Sequence, residues 1–286
     1  MSKSIILCYP NRIAEAVLSG GAWAPTLPLS NAQDPLIGVR CRSADLLPAS
    51  TQIVIDLQRL RPARALALID HNLSLTARYR LTASAAADFS APVLAMGWQP
   101  VWDIVFPYGT VAWEDEHFWT GRPVEEDLAG YRLDLVAPLD AVALARYWLI
   151  EIEDPDNAAG FVEFGRIFIG DGWQPARNMS YGSSIAYQPR TDVAEALSGA
   201  ETFDVRAPRR IQRCQLDWLG GEEAMAKAVE MQRRVGIHAE VLYIHDAADR
   251  VNMHRRSFLG RLRQLSPIEH PYYDTHRLAV EIQEIL

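Results

Sequence analysis

The sequence predicts a mainly β protein, in which an N-terminal β-sandwich is followed by a small α+β domain. Three observations lead to this prediction. Short segments of alternating apolar and polar residues recur before residue 220, and turn residues separate them. The one convincing helical pattern lies over 222–235. The length of 286 residues is enough for two domains.

The strands of the predicted sandwich follow from this alternation. Ile53, Ile55 and Leu57 share one face of the segment 52–57. The segment 63–70 is apolar on both faces, as a central strand would be. The remaining predicted strands are 14–19, 77–84, 145–153 and 161–169, the last with a bulge at Gly165 because its apolar parity changes there.

The C-terminal part shows the order β-α-β-β-β, which predicts a small α+β unit. The strand over 210–219 is expected to direct Cys214, Leu216 and Trp218 inward. A helix is expected over 222–235, ending at Gly236. Its predicted buried stripe is Met225, Ala228, Val229 and Gln232, and further strands are expected over 239–244, 257–265 and 277–285.

The distribution of charge suggests where the domains meet. The formal net charge is −8, and all of it lies in residues 1–200, whereas 201–286 is neutral. With the Gly-, Ser- and Pro-rich stretch near this step, we predict a sandwich over 1–175, a linker over 176–205 and the α+β domain over 206–286. Because the chain is acidic, we expect no nucleic-acid partner.

The cysteines and the hydropathy exclude several classes of protein. Cys8, Cys41 and Cys214 are far apart and form no CxxC pair, so they predict neither a disulfide framework nor a zinc knuckle. We expect no cofactor. No apolar stretch approaches the 18 residues of a membrane span, and the short apolar run near the N-terminus does not suit a signal peptide.

An aromatic-rich insertion is predicted over about 85–130. Seven aromatic residues lie among the 22 positions 98–119. Three interpretations remain open: these rings cap an end of the sandwich, anchor a protein interface, or form a platform for a ligand such as a sugar. The candidate residues for glycan or protein contact are Trp98, Trp102, Tyr108, Trp113, His117 and Trp119.

No catalytic motif accompanies these residues, and we do not expect an enzyme. The nucleophile motif GxSxG is absent, and the acidic runs 114–116 and 125–127 are typical of solvated surface rather than of a glycosidase pair. Asp154, Asp156 and Asn157 could offer oxygens to calcium, but they lack the acidic spacing of a known calcium loop, so no metal site is predicted.

Residues of about 20–175 contain the opening pattern Ala22-Trp23, Pro28-Leu29-Ser30-Asn31 and Arg42-Ser43, and the segments TQIVIDL, ARALALIDHNLS and ARYWLIEIEDPDNAAGFVEFGRIFIG. In order and spacing these segments resemble a discoidin-like (galactose-binding-like) jelly roll. This resemblance implies two packed antiparallel sheets. Many discoidin-like domains bind sugars through loops at one end, but those loops vary, so no binding residue is transferred to this chain.

The whole chain, including GDGWQPARNMSYG and the α+β tail, further resembles minor tail or baseplate proteins of tailed bacteriophages. This resemblance implies a distal-tail-like virion structural protein of a long-tailed phage, assembled in the host cytoplasm. It implies a ring of three or six copies that links the tail tube to the receptor-binding apparatus. The alternative hypothesis is a non-catalytic carbohydrate-binding module that recognises a host surface glycan.

Overall fold

The computed structural model describes residues 5–286, so residues 1–4 of the predicted first domain lie outside the described range. The described chain is mainly β, as predicted, and it divides into two compact units. Unit 1 consists of the described residues before Asn11 together with Trp173–Asp246 and Phe258–Leu286. Unit 2 consists of Asn11–Gly172 and Ala247–Ser257.

The strands are named here in chain order, and short helices interrupt them. The helices are α1 (Glu125–Leu128), α2 (Gly221–Glu223), α3 (Glu230–Val235) and α4 (Met253–Arg256). The strands are β1 (Ile6–Cys8), β2 (Val17–Ser19), β3 (Cys41–Arg42), β4 (Ile53–Ile69), β5 (Arg78–Ser84), β6 (Pro92–Ala95), β7 (Gln99–Pro100), β8 (Asp134–Glu153), β9 (Glu163–Phe164), β10 (Arg166–Gly170), β11 (Gly172–Trp173), β12 (Ser184–Gln188), β13 (Asp192–Glu195), β14 (Glu201–Asp204), β15 (Arg209–Gly220), β16 (Val241–Ile244), β17 (Phe258–Leu262), β18 (Glu269–Tyr272) and β19 (Thr275–Glu284).

Both units are discontinuous in sequence, which differs from the predicted borders. The reason is long-range strand pairing: β1, at the start of the described chain, pairs antiparallel with β16, with Leu7 opposite Tyr243. The segment 247–257, which contains α4, belongs to unit 2 although it comes from between two strands of unit 1. Local sequence patterns carry no information about such distant partners.

Unit 2 contains the predicted β-sandwich strands. Its main sheet has the antiparallel path β10-β4-β8-β5-β6, with β2 and β7 added beside it, and β3 pairs separately with β9. A single hydrophobic core includes Ile53, Ile55, Trp148 and Phe164, all fully buried. The alternating apolar residues of β4 and β5 therefore pack into one core, as the sequence predicts.

The two longest strands of unit 2 differ from the prediction. The segments 52–57 and 63–70 form one strand, β4, because the break at Arg61-Pro62 is absorbed by shifts of register against β8 rather than by a turn. Gln58 lies within it at a φ of 65°, which marks the irregularity. Strand β8 begins at Asp134, eleven residues before the predicted start, although Pro138 interrupts the pattern of its first half.

The predicted irregularity at Gly165 is present as a break between β9 and β10. The Gly165 N–H donates to the carbonyl oxygen of Ile69 at 2.9 Å. A Cβ at this position would collide with the backbone oxygen of Ile37. Only glycine allows this close approach of two backbones.

Unit 1 is an α+β structure whose sheet has the path β11-β1-β16-β17-β19-β15-β12, with β18 paired to β19. The helix follows β15 as predicted: α2, a π-helical turn over Ala224–Val229 and α3 run continuously. Of the predicted stripe only Ala228 is fully buried, and the other buried residues of the helix are Ala224, Met231 and Val235. Ala224 and Ala228 belong to the hydrophobic core of unit 1, whereas Met225 and Val229 are exposed.

The predicted inward position of Trp218 is wrong. Cys214 and Leu216 are buried, but a bulge between Leu216 and Leu219 shifts the register of β15 against β19. Leu219 is therefore buried and Trp218 is exposed. One extra residue in a strand exchanges the two faces beyond it, which alternation alone does not reveal.

The segment 176–205, predicted as a linker, contains three strands. Strand β12 pairs antiparallel with β15, with Ala186 opposite Ile211. Strands β13 and β14 form a hairpin of their own, and Gly199 takes a φ of 79° in its turn. Across residues 5–286, the structure has no helix long and apolar enough to cross a bilayer.

Candidate functional site

The predicted aromatic-rich insertion contains a long loop of unit 2 between β7 and β8, and α1 lies near its end. Three candidate side chains on this loop are exposed: Tyr108 by 92%, Trp113 by 70% and Trp119 by 82%. The ring of Phe118 lies 6.1 Å from that of Tyr108 and 5.1 Å from that of Trp119. Neighbouring exposed rings of this size are typical of a binding surface.

Backbone hydrogen bonds give this loop a definite shape. The N–H groups of Val105 and Phe106 both donate to the carbonyl oxygen of Gly121, at 2.7 and 2.9 Å. The Gly121 N–H donates to the carbonyl oxygen of His117 at 2.7 Å. Gly121 has a φ of 62°, and a Cβ there would collide with the oxygen of Phe106. The aromatic side chains therefore project from an ordered base.

His117 joins two acidic residues of the loop. Its Nδ1 lies 2.6 Å from Asp115 Oδ1, and its Nε2 lies 2.8 Å from Asp127 Oδ2. Asp127 also accepts a hydrogen bond from the Val124 N–H at 3.0 Å, at the start of α1. The hydrogen bonds to Asp127 and Asp115 raise the pKa of His117, and those from His117 lower the pKa of both carboxyl groups. We call this arrangement the His117 clamp.

The His117 clamp should depend on pH in a defined direction. A raised His117 pKa means that its contribution is complete below the unfolded value of about 6.5 and is lost as pH rises through the folded pKa. The lowered pKa values of Asp115 and Asp127 mean that their contribution is complete above about 4 and is lost as pH falls through the folded pKa values. The His117 clamp should therefore be fully formed between about pH 4 and about pH 6.5.

An NMR titration of the histidine ring nitrogens should find a His117 pKa above about 6.5. Asp127→Asn should lower it more than Asp115→Asn, because the bond to Asp127 has the larger effect. A His117 pKa that does not respond to Asp127→Asn would contradict the clamp.

Trp102, a candidate for ligand contact, is part of the interior of unit 2. It is only 3% exposed, and its ring centroid lies 5.9 Å from that of His71 and 5.7 Å from that of His254. The Leu73 N–H donates to His71 Nδ1 at 3.1 Å, and burial lowers the pKa of His71 to about 4. His71 is therefore neutral near neutral pH, and Trp102 does not form part of an exposed platform.

Trp98 also differs from the other aromatic candidates, because arginines of β5 lie beside it. The guanidinium carbons of Arg80 and Arg78 lie 4.9 and 5.9 Å from its ring centroid. Arg80 in turn donates two hydrogen bonds of 2.6 Å to the carboxylate of Glu151. Trp98 is half-buried. The guanidinium group of Arg80 already lies over one face of its ring.

The residues considered for calcium instead brace a turn. The buried carboxylate of Asp154 accepts hydrogen bonds from the Ser74 N–H at 3.0 Å, from Asn157 Nδ2 at 2.8 Å and from the Ser74 hydroxyl. Asp156 accepts one from the Thr76 hydroxyl at 2.9 Å. These protein donors occupy the oxygens that a cation would need. Over 5–286, no group of three or more His, Cys, Asp or Glu side chains could hold a metal ion.

A cavity of about 560 Å³ opens on unit 2 beside α1 and this braced turn. Its volume lies within the range of small-molecule sites. Its polar lining residues include Glu125, Tyr131 and the hydrogen-bonded pair Thr76 and Asp156. Its apolar lining includes Leu73, Leu75, Leu128 and Leu133. The cavity therefore combines an apolar surface with hydroxyl and carboxylate groups.

Comparison with solved structures finds chains that are similar to part of this protein at low sequence identity. A family 32 carbohydrate-binding module from C. perfringens NanJ, in complex with galactose, matches 57% of this chain and 98% of its own, at 15% identity and a TM-score of 0.36. The similarity is one of fold alone. CBM32-1 from a family 31 glycoside hydrolase of Clostridium perfringens matches 57% of this chain and 99% of its own, at 12% identity and a TM-score of 0.36.

A lectin-binding domain of Lectinolysin complexed with Lewis b likewise covers 57% of this chain and 96% of its own, at 12% identity and a TM-score of 0.37. Each of these three matches extends over 57% of this chain. No family model matches the sequence, and no curated protein does.

The aromatic composition indicated the loop that carries the exposed rings, but no sequence pattern indicated the cavity. Thr76 and Tyr131 belong to segments that carry no motif, and Thr76 meets Asp156 because the loop 72–76 folds against the turn at 154–157. The run Asp154-Pro155-Asp156-Asn157 was recognisable as a turn. Its contact partner, 80 residues away, was not.

Proposed function

We propose that the protein is a structural component of the virion of a long-tailed bacteriophage, at the tail tip or baseplate. It would link the tail tube to the receptor-binding apparatus through contacts with other tail proteins and with copies of itself, without catalysing a reaction. The sequence resemblance to minor tail and baseplate proteins supports the phage assignment. The surface of unit 1 supports the contacts between subunits.

The observation that carries this proposal is a run of exposed apolar side chains on the strands over 181–205, which we call the exposed strands. Ile185 and Tyr187 are exposed on β12, and Val193 and Phe203 are exposed on the hairpin of β13 and β14. Strand β12 is the last strand on its side of the sheet path. Further exposed apolar residues in this run are Tyr181, Leu197 and Val205.

Exposed apolar strands at a sheet edge favour association with another chain. An edge strand presents backbone donors and acceptors to a new strand, and apolar side chains beside it gain by leaving water. If the complementary surface lies elsewhere on the same chain, the contact is head-to-tail, and it forms a ring when the rotation between neighbouring copies closes. A ring of three or six copies is the assembly that we propose.

Mass photometry and negative-stain imaging of the purified full chain should detect closed oligomers. The double variant Ile185→Lys and Tyr187→Lys should shift the population toward the monomer, because two charges would have to be desolvated at the interface. The matched control is Met225→Lys with Ile237→Lys, which places two lysines at exposed apolar positions outside the exposed strands and should leave the assembly intact.

Two results would overturn this proposal. One is a wild-type chain that remains monomeric at every concentration tested. The other is the absence of this chain from purified tail particles analysed by mass spectrometry. If the control variant at Met225 and Ile237 lost the assembly as strongly as the β12 variant does, the interface would not lie on the exposed strands.

Glycan recognition by unit 2 is the second candidate function, and the cavity beside α1 favours it. Sugars combine apolar C–H faces with hydroxyl groups, and the cavity offers leucines, Tyr131, Thr76 and two carboxylates. The fold similarity to family 32 modules agrees with this candidate only at the level of architecture. The carboxylates, Glu125 and Asp156, would accept hydrogen bonds from neutral sugar hydroxyls.

A glycan array with the purified chain tests the second candidate. Binding that is lost in Tyr131→Ala but kept in Trp113→Ala would support the cavity as the site. Binding lost only in Trp113→Ala or Trp119→Ala would move the site to the exposed rings. Absence of binding by the wild-type chain would reject the candidate without affecting the proposed assembly, which is measured separately.

A further inference from the structure

The loop that carries the exposed rings has an unusual charge. Residues 103–127 contain seven acidic residues against one arginine, Arg122, and one histidine, His117. Arg122 donates to the carbonyl oxygen of Leu75 at 3.4 Å. The acidic residues are Asp103, Glu114, Asp115, Glu116, Glu125, Glu126 and Asp127.

Two carboxylates, those of Glu114 and Glu116, follow Trp113 within three positions of the sequence. Glu114 and Glu116 are exposed, and among the ion pairs of residues 5–286 neither has a partner. Asp115 and Asp127, in contrast, are held by His117. The loop therefore combines exposed aromatic rings with two exposed carboxylates that are close to them in sequence.

The same protein shows twice what such a combination binds. Arg80 lies over the ring of Trp98 while it forms a two-bond ion pair with Glu151. Arg42 lies 4.0 Å from the ring centroid of Phe161 and donates to Glu163 at 2.7 Å. In both places a guanidinium uses its flat face on an aromatic ring and its edge on a carboxylate.

We propose that the loop 103–127 is a docking surface for an arginine-rich segment of another protein. Exposed aromatic faces supply cation–π contacts, and the adjacent Glu114 and Glu116 supply planar acceptors for the same guanidinium groups. The negative field of the loop accelerates the approach of a cationic partner and repels anionic polysaccharide, nucleic acid and acidic membrane surfaces. Arginine is favoured over lysine because only its planar group can stack and pair at once.

This surface is independent of the exposed strands of unit 1, so it applies whether or not the chain assembles into a ring. It differs from the glycan candidate in its dependence on salt. A neutral sugar carries no charge to be screened, whereas contacts between guanidinium and carboxylate groups weaken as ionic strength rises.

The test uses the full chain and three peptides of equal length, in which arginine, lysine or glutamate alternates with glycine and serine. Isothermal titration calorimetry at several salt concentrations should show binding of the arginine peptide, weaker binding of the lysine peptide and none of the glutamate peptide. The double variant Trp113→Ala and Trp119→Ala should lower the affinity for the arginine peptide by about tenfold. Glu114→Gln with Glu116→Gln should lower it similarly and flatten the salt dependence.

Matched controls separate this surface from the general acidity of the chain. Asp88→Asn with Glu222→Gln removes two exposed charges elsewhere, and Tyr273→Ala removes an exposed ring elsewhere. Both should leave the affinity within about twofold, as expected for substitutions outside the contact. No binding of the arginine peptide overturns the proposal, as does an equal loss in the charge control. Lysine binding as strong as arginine binding and unaffected by the tryptophan variants would show charge attraction alone and also overturns it.

Discussion

Replacing Arg210 by alanine is expected to lower the free energy of unfolding of unit 1 by about 3–5 kcal/mol. Arg210 and Glu284 form an ion pair between β15 and β19, and their side chains are only 2% and 3% exposed. Arg210 Nε donates to Glu284 Oε2 at 3.0 Å, and Nη2 donates to Oε1 at 2.5 Å. The alanine variant would leave the Glu284 carboxylate in the interior without its guanidinium, which costs far more than an exposed pair is worth.

Arg213 provides a matched control on the same strand. It also pairs with a glutamate of β19, because Nε donates to Glu281 Oε1 at 2.9 Å, but its side chain is 59% exposed. Arg213→Ala should change the stability by less than about 1 kcal/mol, since water screens the pair and replaces its hydrogen bonds.

Amide hydrogen exchange on peptides from β15 and β19 reports the stability of unit 1 separately from unit 2. Exchange in these strands should accelerate strongly in Arg210→Ala and little in Arg213→Ala. The double variant Arg210→Leu with Glu284→Leu should recover part of the loss, because it removes both charges together. Equal effects of Arg210→Ala and Arg213→Ala would mean that the pair is not shielded from water.

The Arg210–Glu284 pair also illustrates why strands can be predicted from the sequence more easily than the contacts between them. The run Arg206, Arg209, Arg210 and Arg213 resembles solvated surface in the sequence. In the structure, Arg210 lies inside unit 1 because a glutamate 74 residues away lies on the neighbouring strand. Alternation predicts that a strand exists, but its burial depends on the partner strand.

Strand alternation failed where the backbone changed its phase. Alternation with the buried Cys214 and Leu216 predicts that Trp218 points inward. The bulge before Leu219 exchanges the two faces of the strand, so Trp218 is exposed. The first half of β8 escaped prediction because it carries Pro138 and lies beside β4, where both faces are buried. Such a strand has no alternation to detect.

For the candidate site, the aromatic composition located the loop but could not distinguish its buried residues from its exposed ones. Trp102 and Trp119 are equivalent as letters in an aromatic-rich run. Their environments differ because the segment 247–257 packs His254 against Trp102, while no comparable element covers Trp119 among residues 5–286. That segment lies more than 140 residues further along the chain, so no local pattern could reveal it.

Trp102→Ala is expected to lower the free energy of unfolding of unit 2 by about 3–5 kcal/mol, because it empties a site that is nearly closed to water. The lost ring now fills the space between His71 and His254. Trp119→Ala removes the same side chain from a position that is 82% exposed and should change the stability by no more than about 0.5 kcal/mol.

Hydrogen exchange on peptides from β5 and β8 measures this difference within unit 2, and Trp102→Phe separates packing from polarity. Phenylalanine keeps most of the ring and removes an Nε1–H that has no hydrogen-bond partner among the described residues. It should therefore cost much less than alanine, since no satisfied hydrogen bond is lost with the indole nitrogen. If Trp102→Ala were as stable as Trp119→Ala, Trp102 would not be a core residue, and it would again be a candidate for ligand contact.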